Sequence, residues 1–369
     1  PDTWRTRANA KVGNNSKMLN ASATRGLKRM SKQIGDPAAK PVQFVSRDGK
    51  AQDGGKPGAL ASDPKVIDGI ITRASQDIFE GNVLDADSSV QHSMTKYSGR
   101  LFKRKEFEVE EISTKLVHEA LTSAGKTAGG MDGWQPAELA LVSLEAARWI
   151  ADLLRLIEEG EEWPEACLHA KVVYLEKEGS KIGEVMSYRP LTINTPLYRR
   201  WASMRLRTME EWIAEWALPE MFAGVPGQGA VDAWYHALLD VELMQLEGTP
   251  FCGGAADIHK FFDQIQRKLV YAVAKEAGMP QGILQAYKRF LENLKVCNGI
   301  GGGVGHKYTR KGGIPQGYPF SMTIVALLMR PWLREMEHRK VEAKVLADDV
   351  LIVASGRKML SRFAKALNY

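Results

Sequence analysis

Two acidic sites about ninety residues apart carry the chemistry this chain can be read for. The first is Asp257, which closes the apolar run Phe251-Cys252-Gly253-Gly254-Ala255-Ala256 and precedes a helix opening. The second is Asp348-Asp349, set with Ala347 between Ala343-Lys344-Val345-Leu346 and Val350-Leu351-Ile352-Val353. Adjacent carboxylates at a hairpin tip are costly unless positive charge compensates them. Bound Mg²⁺ supplies that charge. Two divalent ions roughly 3.5–4 Å apart, bridged by carboxylates, are what two-metal phosphoryl transfer requires. Mg²⁺ takes a few hard oxygens from protein and leaves the rest of its shell to water and substrate phosphates. Between the acidic sites lies Gly312-Gly313-Ile314-Pro315-Gln316-Gly317. Its glycines let the main chain approach a base pair closely, and Gln316 can donate and accept there.

The elements that must position these residues follow from pattern. Phe251–Asp257 reads as one strand, and the runs flanking Asp348-Asp349 read as two strands of a hairpin. A helix is expected over Phe320–Glu337. Upstream, Ala170–Lys177 reads as a strand ending in Lys177, with Gly179 and Gly183 marking a turn and Arg189-Pro190-Leu191 on the returning strand. Helices are expected over Asp63–Phe79, with Asp63-Pro64 as cap and first position, and over Val109–Ala124, Leu139–Glu159, Thr195–Trp216 and Ala230–Leu246. Within Thr195–Trp216 the stripe Met209, Trp212, Ile213, Trp216 reads as core, so its tryptophans pack rather than stack on bases. Residues 81–106 read as a polar loop. Gly129-Gly130-Met131-Asp132-Gly133-Trp134 reads as a tight turn leading to a helix near Gln135-Pro136.

Composition bounds the rest. The 369 residues, 44% hydrophobic and 25% charged, suffice for two or three subdomains around a sizeable core. No apolar run approaches the roughly 18 residues of a transmembrane helix, and no secretory signal is visible. Cys167, Cys252 and Cys297 have no CxxC spacing, which argues against a zinc site or a disulfide framework. Residues 1–40 hold nine Lys and Arg against Asp2 and Asp36, so that segment carries +7 and the remainder −1 of the net +6. Such a basic arm suits phosphate-backbone contact, and equally a solvated linker. Residues 1–62 read as a basic, largely disordered linker with a short helix near Ala23–Gln33. The first residue is Pro1, which points to a piece of a longer protein.

Asp257-Ile258-His259-Lys260-Phe261-Phe262-Asp263 resembles motif A of reverse transcriptases. Gly313-Ile314-Pro315-Gln316-Gly317-Tyr318-Pro319-Phe320-Ser321 resembles motif B, and Leu346-Ala347-Asp348-Asp349 resembles motif C, where Leu346 replaces the usual aromatic residue. The order and spacing also match, over roughly residues 107–369, and the nearest likeness is to non-LTR (LINE-type) retrotransposon enzymes. Phe222–Gly229 resembles the segment preceding motif A there, and Gly129–Trp134 the element opening the fingers.

The resemblance implies an α+β fold: a right-hand polymerase palm, an antiparallel sheet with helices, plus helical and β-hairpin fingers, with the thumb missing. The expected division is 1–62 linker, 63–250 N-terminal extension and fingers, 251–369 palm. It implies Asp257, Asp348 and Asp349 as catalytic carboxylates, with Asp257, the Ile258 carbonyl and Asp348 as ligands of two Mg²⁺ ions, Mn²⁺ being a substitute. Lys177 and Arg189 would reach the incoming triphosphate, a guanidinium fork suiting phosphate oxygens. Phe262 would lie under the nucleotide sugar and leave no room for a 2′-hydroxyl, and Gln316 and Gly317 would contact nucleotide or template. Asp263 is expected to cap the helix after motif A.

The implied activity is RNA-directed DNA synthesis: a primer 3′-hydroxyl attacks the α-phosphate of a dNTP on an RNA template, and pyrophosphate leaves. The implied partners are RNA template, DNA primer and dNTPs, with no membrane, in nucleus and cytoplasm. A chain lacking the thumb is expected to be poorly active alone. Two alternatives are RNA-dependent RNA synthesis and a decayed, maturase-like RNA-binding module; the intact carboxylate set argues against the second.

Overall fold

The computed structural model describes residues 42–50, 54–81, 85–123, 127–177, 181 and 183–368. The basic arm and the helix expected over Ala23–Gln33 lie outside them. The part of the expected linker that is described is not one. Its strands β1 (Val45–Ser46) and β2 (Leu60–Ala61) pair antiparallel, and Val45 and Ala61 are fully buried. Those apolar residues gain more from burial than a polar linker could.

Helix α1 (Pro64–Gly81) begins as expected: Asp63 Oδ1 accepts from the amides of Lys65 at 2.8 Å and Val66 at 3.1 Å. Ile67, Ile70, Ile71 and Phe79 form its buried face. Residues 81–106 are not all loop, because α2 (Ala86–Lys96) lies within them. It buries no residue of its own, so no apolar stripe announces it; it rests on a later helix, with Lys268 Nζ bonded to Asp87. Helix α3 (Thr114–Thr122) is shorter than expected, because Ser113 Oγ caps it by accepting from Leu116 N at 3.1 Å. The helix expected near Gln135-Pro136 is α4 (Pro136–Leu139), and the one expected from Leu139 starts only at Leu144, as α5 (Leu144–Glu159). Ser143 Oγ, accepting from Ala146 N at 3.2 Å, starts α5.

The chain then forms β3 (His169–Glu176), β4 (Tyr188–Ile193), α6 (Pro196–Thr208) and α7 (Glu210–Trp216). The last two were expected as one helix; the chain breaks at Met209, with φ −106° and ψ 12°. Trp201, Trp212 and Trp216 are buried, so these tryptophans pack. Trp201 Nε1 and Arg205 Nε both donate to Glu158 Oε1 at 2.7 Å, which fastens α6 to α5. Next come α8 (Ala230–Leu246), β5 (Phe251–Asp257), α9 (Phe261–Gln264), α10 (Arg267–Glu276) and α11 (Gln281–Asn293). Strands β6 (Lys295–Ile300), β7 (Gly303–Val304) and β8 (Tyr308–Thr309) precede α12 (Pro319–His338), β9 (Glu342–Leu346), β10 (Asp349–Ser355) and α13 (Met359–Leu367).

Two larger sheets result, so the fold mixes helices and sheets as an α+β chain. One runs β4-β3-β6-β7, with β8 also on β6. Strand β6 pairs parallel with β3 although it follows residue 250, so the division expected there does not separate the sheets. A buried polar network holds this sheet to α1: Asn298 Nδ2 donates to Asp68 Oδ1 at 2.8 Å, and Tyr174 and Tyr308 hydroxyls donate to Asn298 Oδ1 at 2.6 and 3.0 Å. The other sheet runs β5-β10-β9, antiparallel throughout. Its Ala256, Val350 and Ile352 line an apolar groove together with residues of α10 and α12.

Candidate active site

The register of the β5-β10-β9 sheet brings the acidic residues together. Asp349 lies directly opposite Asp257 on one side and Leu346 on the other. Opposed residues project from the same face of a sheet, about 4.5–5.5 Å apart at Cβ. Asp348 sits in the two-residue turn between β9 and β10, where Ala347 adopts φ 59°. The Asp348 carbonyl accepts from Ile258 N at 3.0 Å, so the turn is fastened to the residue after Asp257. Asp257 and Asp349 are exposed and Asp348 is half-buried.

Burial, then repulsion from Asp348 and Asp257, raises the Asp349 carboxyl above its ordinary value. Among the described residues, no Lys, Arg or His pairs with any of the three. The cluster therefore has a deficit of positive charge. Nor do three or more His, Cys, Asp or Glu among the described residues group tightly enough to enclose an ion themselves. Carboxylate oxygens of this kind fit Mg²⁺, which would complete its shell with water and phosphate.

The chain after Asp257 turns at once into α9. Phe261 N donates to Ile258 O, and Asp263 N donates to Lys260 O, at 3.2 and 3.0 Å. Lys260 has φ 50°, in the left-handed region. Asp263 is buried inside α9 and is not its cap; Lys260 holds that place. Phe262 is 7% exposed and packs in the core. Its carbonyl accepts from Ile314 N at 2.8 Å, and Ile265 O accepts from Gly313 N at 2.8 Å. The glycine loop is thus bonded along α9. Gly313 has φ 72°, and a Cβ there would lie 2.8 Å from Asp263 O. Ser321 Oγ, donating to Pro315 O at 2.7 Å, fixes the loop's far end. Gln316 is half-buried and Gly317 exposed.

The two cations expected near the triphosphate lie on the β3–β4 hairpin. Lys177 follows β3, exposed, with its amide donating to Ser187 O at 3.2 Å. It is close enough to Lys260 and Asp263 to act on both electrostatically. Arg189 is exposed opposite Leu175, on the strand face opposite Tyr188 and Pro190. Sequence reasoning passed over Lys260 and Arg310. Arg310 is buried, with its guanidinium over the Phe79 ring at 4.3 Å and facing Asp263. The only trace of Lys260 in sequence is its place three residues after Asp257; Arg310 left none.

A family model described as "Reverse transcriptase (RNA-dependent DNA polymerase)" matches residues 175–368. The "RNA-directed DNA polymerase from mobile element jockey" of Drosophila melanogaster is 23% identical over 245 residues, covering 64% of this chain and 26% of that protein. The chain thus spans about a quarter of that relative's length.

Proposed function

The chain belongs to the reverse transcriptase (RNA-dependent DNA polymerase) family, and on that premise we propose that it forms the catalytic part of a non-LTR mobile-element enzyme that extends a DNA primer on an RNA template with dNTPs. The observation that carries this reading is the facing of Asp257 and Asp349 across β5 and β10, with Asp348 in the adjoining turn. In this reading the β5-β10-β9 sheet is the palm and the β3–β4 hairpin belongs to the fingers.

Asp257, Asp348 and the Ile258 carbonyl would hold two Mg²⁺ or Mn²⁺ ions, with Asp349 in support. Bound ions of this kind lower the pKa of an attacking hydroxyl and stabilise the leaving oxygens. Lys177 and Arg189 offset the triphosphate's charge. Phe262 closes the floor beneath the sugar and favours a deoxyribose. Gln316 and Gly317, on a loop bonded to the same turn as Phe262, face the nascent base pair. RNA synthesis would need room for a 2′-hydroxyl at Phe262, and a binding-only module would not need the carboxylates.

Single-nucleotide incorporation on an RNA template with Mg²⁺ tests the reading. Wild type is expected to incorporate dNTPs in preference to rNTPs. Asp257→Asn is expected to lower incorporation by a factor on the order of 10³, as loss of a metal ligand should, with unchanged melting. Phe262→Ala is expected to narrow the preference for deoxynucleotides. Full incorporation by Asp257→Asn would sink the assignment, and rNTP preference in wild type would transfer it to RNA synthesis.

A further inference from the structure

Helix α8 has apolar residues on all its sides, a pattern that ordinarily belongs to a buried helix. Met244 is nonetheless its one buried residue. Asp240 and Met244, one turn apart, mark the side held against the rest of the chain. Asp240 pairs with Lys344 of β9, and His236 lies against the Phe222 ring with centroids 5.5 Å apart. The opposite side runs Val231, Tyr235, Leu238, Glu242, Leu246, in steps of three or four residues. Its four apolar members and the neighbouring Trp234 are between 55% and 84% exposed. Single exposed apolar residues need no explanation, but a contiguous stripe of this kind marks an interaction site.

Charge decides what kind of partner fits. Residues 230–250 contain four acids and no Lys or Arg. Lys344 satisfies Asp240. Asp232, Glu242 and Glu247 have no ion-pair partner among the described residues. Glu242 is exposed and stands in the line of the stripe itself. Such a surface repels the phosphates of a nucleic acid and of an anionic membrane. A second copy of α8 laid on the first would bury Glu242 against apolar residues or against its own counterpart, and both are costly. A helix whose apolar stripe is flanked by Lys or Arg meets both features. It covers the apolar side chains and supplies a cation to Glu242.

We propose that α8 is a docking face for a basic amphipathic helix presented by a partner protein. Trp234, Tyr235 and Leu238 are its apolar anchors, and Glu242 is the charge that selects the partner. Aromatic side chains are where such interfaces concentrate their binding. The proposal stands apart from the polymerase reading, since docking on α8 needs neither metal nor nucleotide.

Two labelled peptides of about 18 residues, long enough to match α8, test it against the 369-residue chain. Both carry Leu at every third or fourth position; one has Lys at the others, and one has Glu. Binding is followed by fluorescence anisotropy. The Lys peptide is expected to bind about tenfold more tightly than the Glu peptide. Trp234→Ser is expected to weaken the Lys peptide about tenfold, with melting unchanged because the side chain is exposed. Glu242→Lys is expected to reverse the preference, so that the Glu peptide binds the more tightly. No binding of the Lys peptide, or equal binding of both, overturns the proposal. So does a Lys-peptide affinity that neither substitution changes, which places the peptide elsewhere on the chain. Sedimentation of the chain alone tests the second copy: dimers that Trp234→Ser dissolves would assign α8 to self-association and overturn the proposal. Flotation with phosphatidylcholine vesicles that Trp234→Ser abolishes would overturn it in favour of a lipid surface.

Discussion

The helical body around α6 and the sheet carrying the acids are filled in opposite ways. In the body, Tyr198 stacks on Phe290 with centroids 3.4 Å apart, and Trp163 meets Tyr198, Trp201 and Phe290 edge-on at 5.2–5.5 Å. All four rings are buried. In the sheet, every residue of β5 from Gly253 to Asp257 is exposed, and their side chains are no larger than a methyl group until the acid itself. The first region is a rigid frame built by interlocking large rings. In the second, β9 and β10 pack into the core, while β5 offers almost no side chain and sets its acid in place by backbone register. Stability and chemistry are therefore held largely by different residues, and mutations should separate them.

The largest effect is expected in the frame. Trp201→Ala should cost about 3–5 kcal/mol, a large share of a typical domain's stability, and lower the denaturation midpoint strongly. A loss below about 1 kcal/mol would mean that the aromatic cluster is not the frame.

A smaller effect is expected at the seam between the regions. Gly313→Ala combines a left-handed backbone with a Cβ 2.8 Å from Asp263 O, and should cost about 1–3 kcal/mol. It should also weaken nucleotide incorporation, because the Gly313 and Ile314 amides bind the α9 segment. A stability loss with unchanged incorporation would uncouple the loop from the site.

The smallest effect, and one of opposite sign, is expected in the sheet. The Asp349 carboxyl lies above its ordinary value of 3.8. The folded chain thus binds that proton more tightly than the unfolded chain, and metal-free stability falls as pH rises from that value through the raised one. Asp349→Asn removes the penalty, so the metal-free variant should melt higher than wild type at neutral pH, by on the order of 1 °C. Added Mg²⁺ should raise wild type more than the variant. A lower-melting metal-free variant would show that Asp349 supports the sheet.

The same contrast explains what was legible in the sequence. Asp257 and Asp348-Asp349 stood out because acids ending apolar runs have few structural uses, and the register then placed them face to face. The core stripe Met209, Trp212, Ile213, Trp216 was legible because helical burial leaves a period. Helix α2 left none, since its hold is a tertiary contact through Asp87 and Lys268. The break at Met209 was hidden by an apolar stripe that runs across it. The pairing of β6 with β3 joins residues 295–298 to 169–172, and no local pattern encodes such a partner. The φ of Lys260 is a tertiary outcome, so its position could be read and its conformation could not.

Strand β5 has a single partner among the described residues, and that partner is about ninety residues further on. At a synthesis rate of roughly 5–20 residues per second, β5 waits on the ribosome for some 5–20 seconds before β10 emerges. A strand of valine and isoleucine left open for that long would invite pairing with any passing edge. Cys252-Gly253-Gly254-Ala255-Ala256 is a poor strand by intrinsic preference. A strand of such small side chains offers little to a wrong partner during that interval.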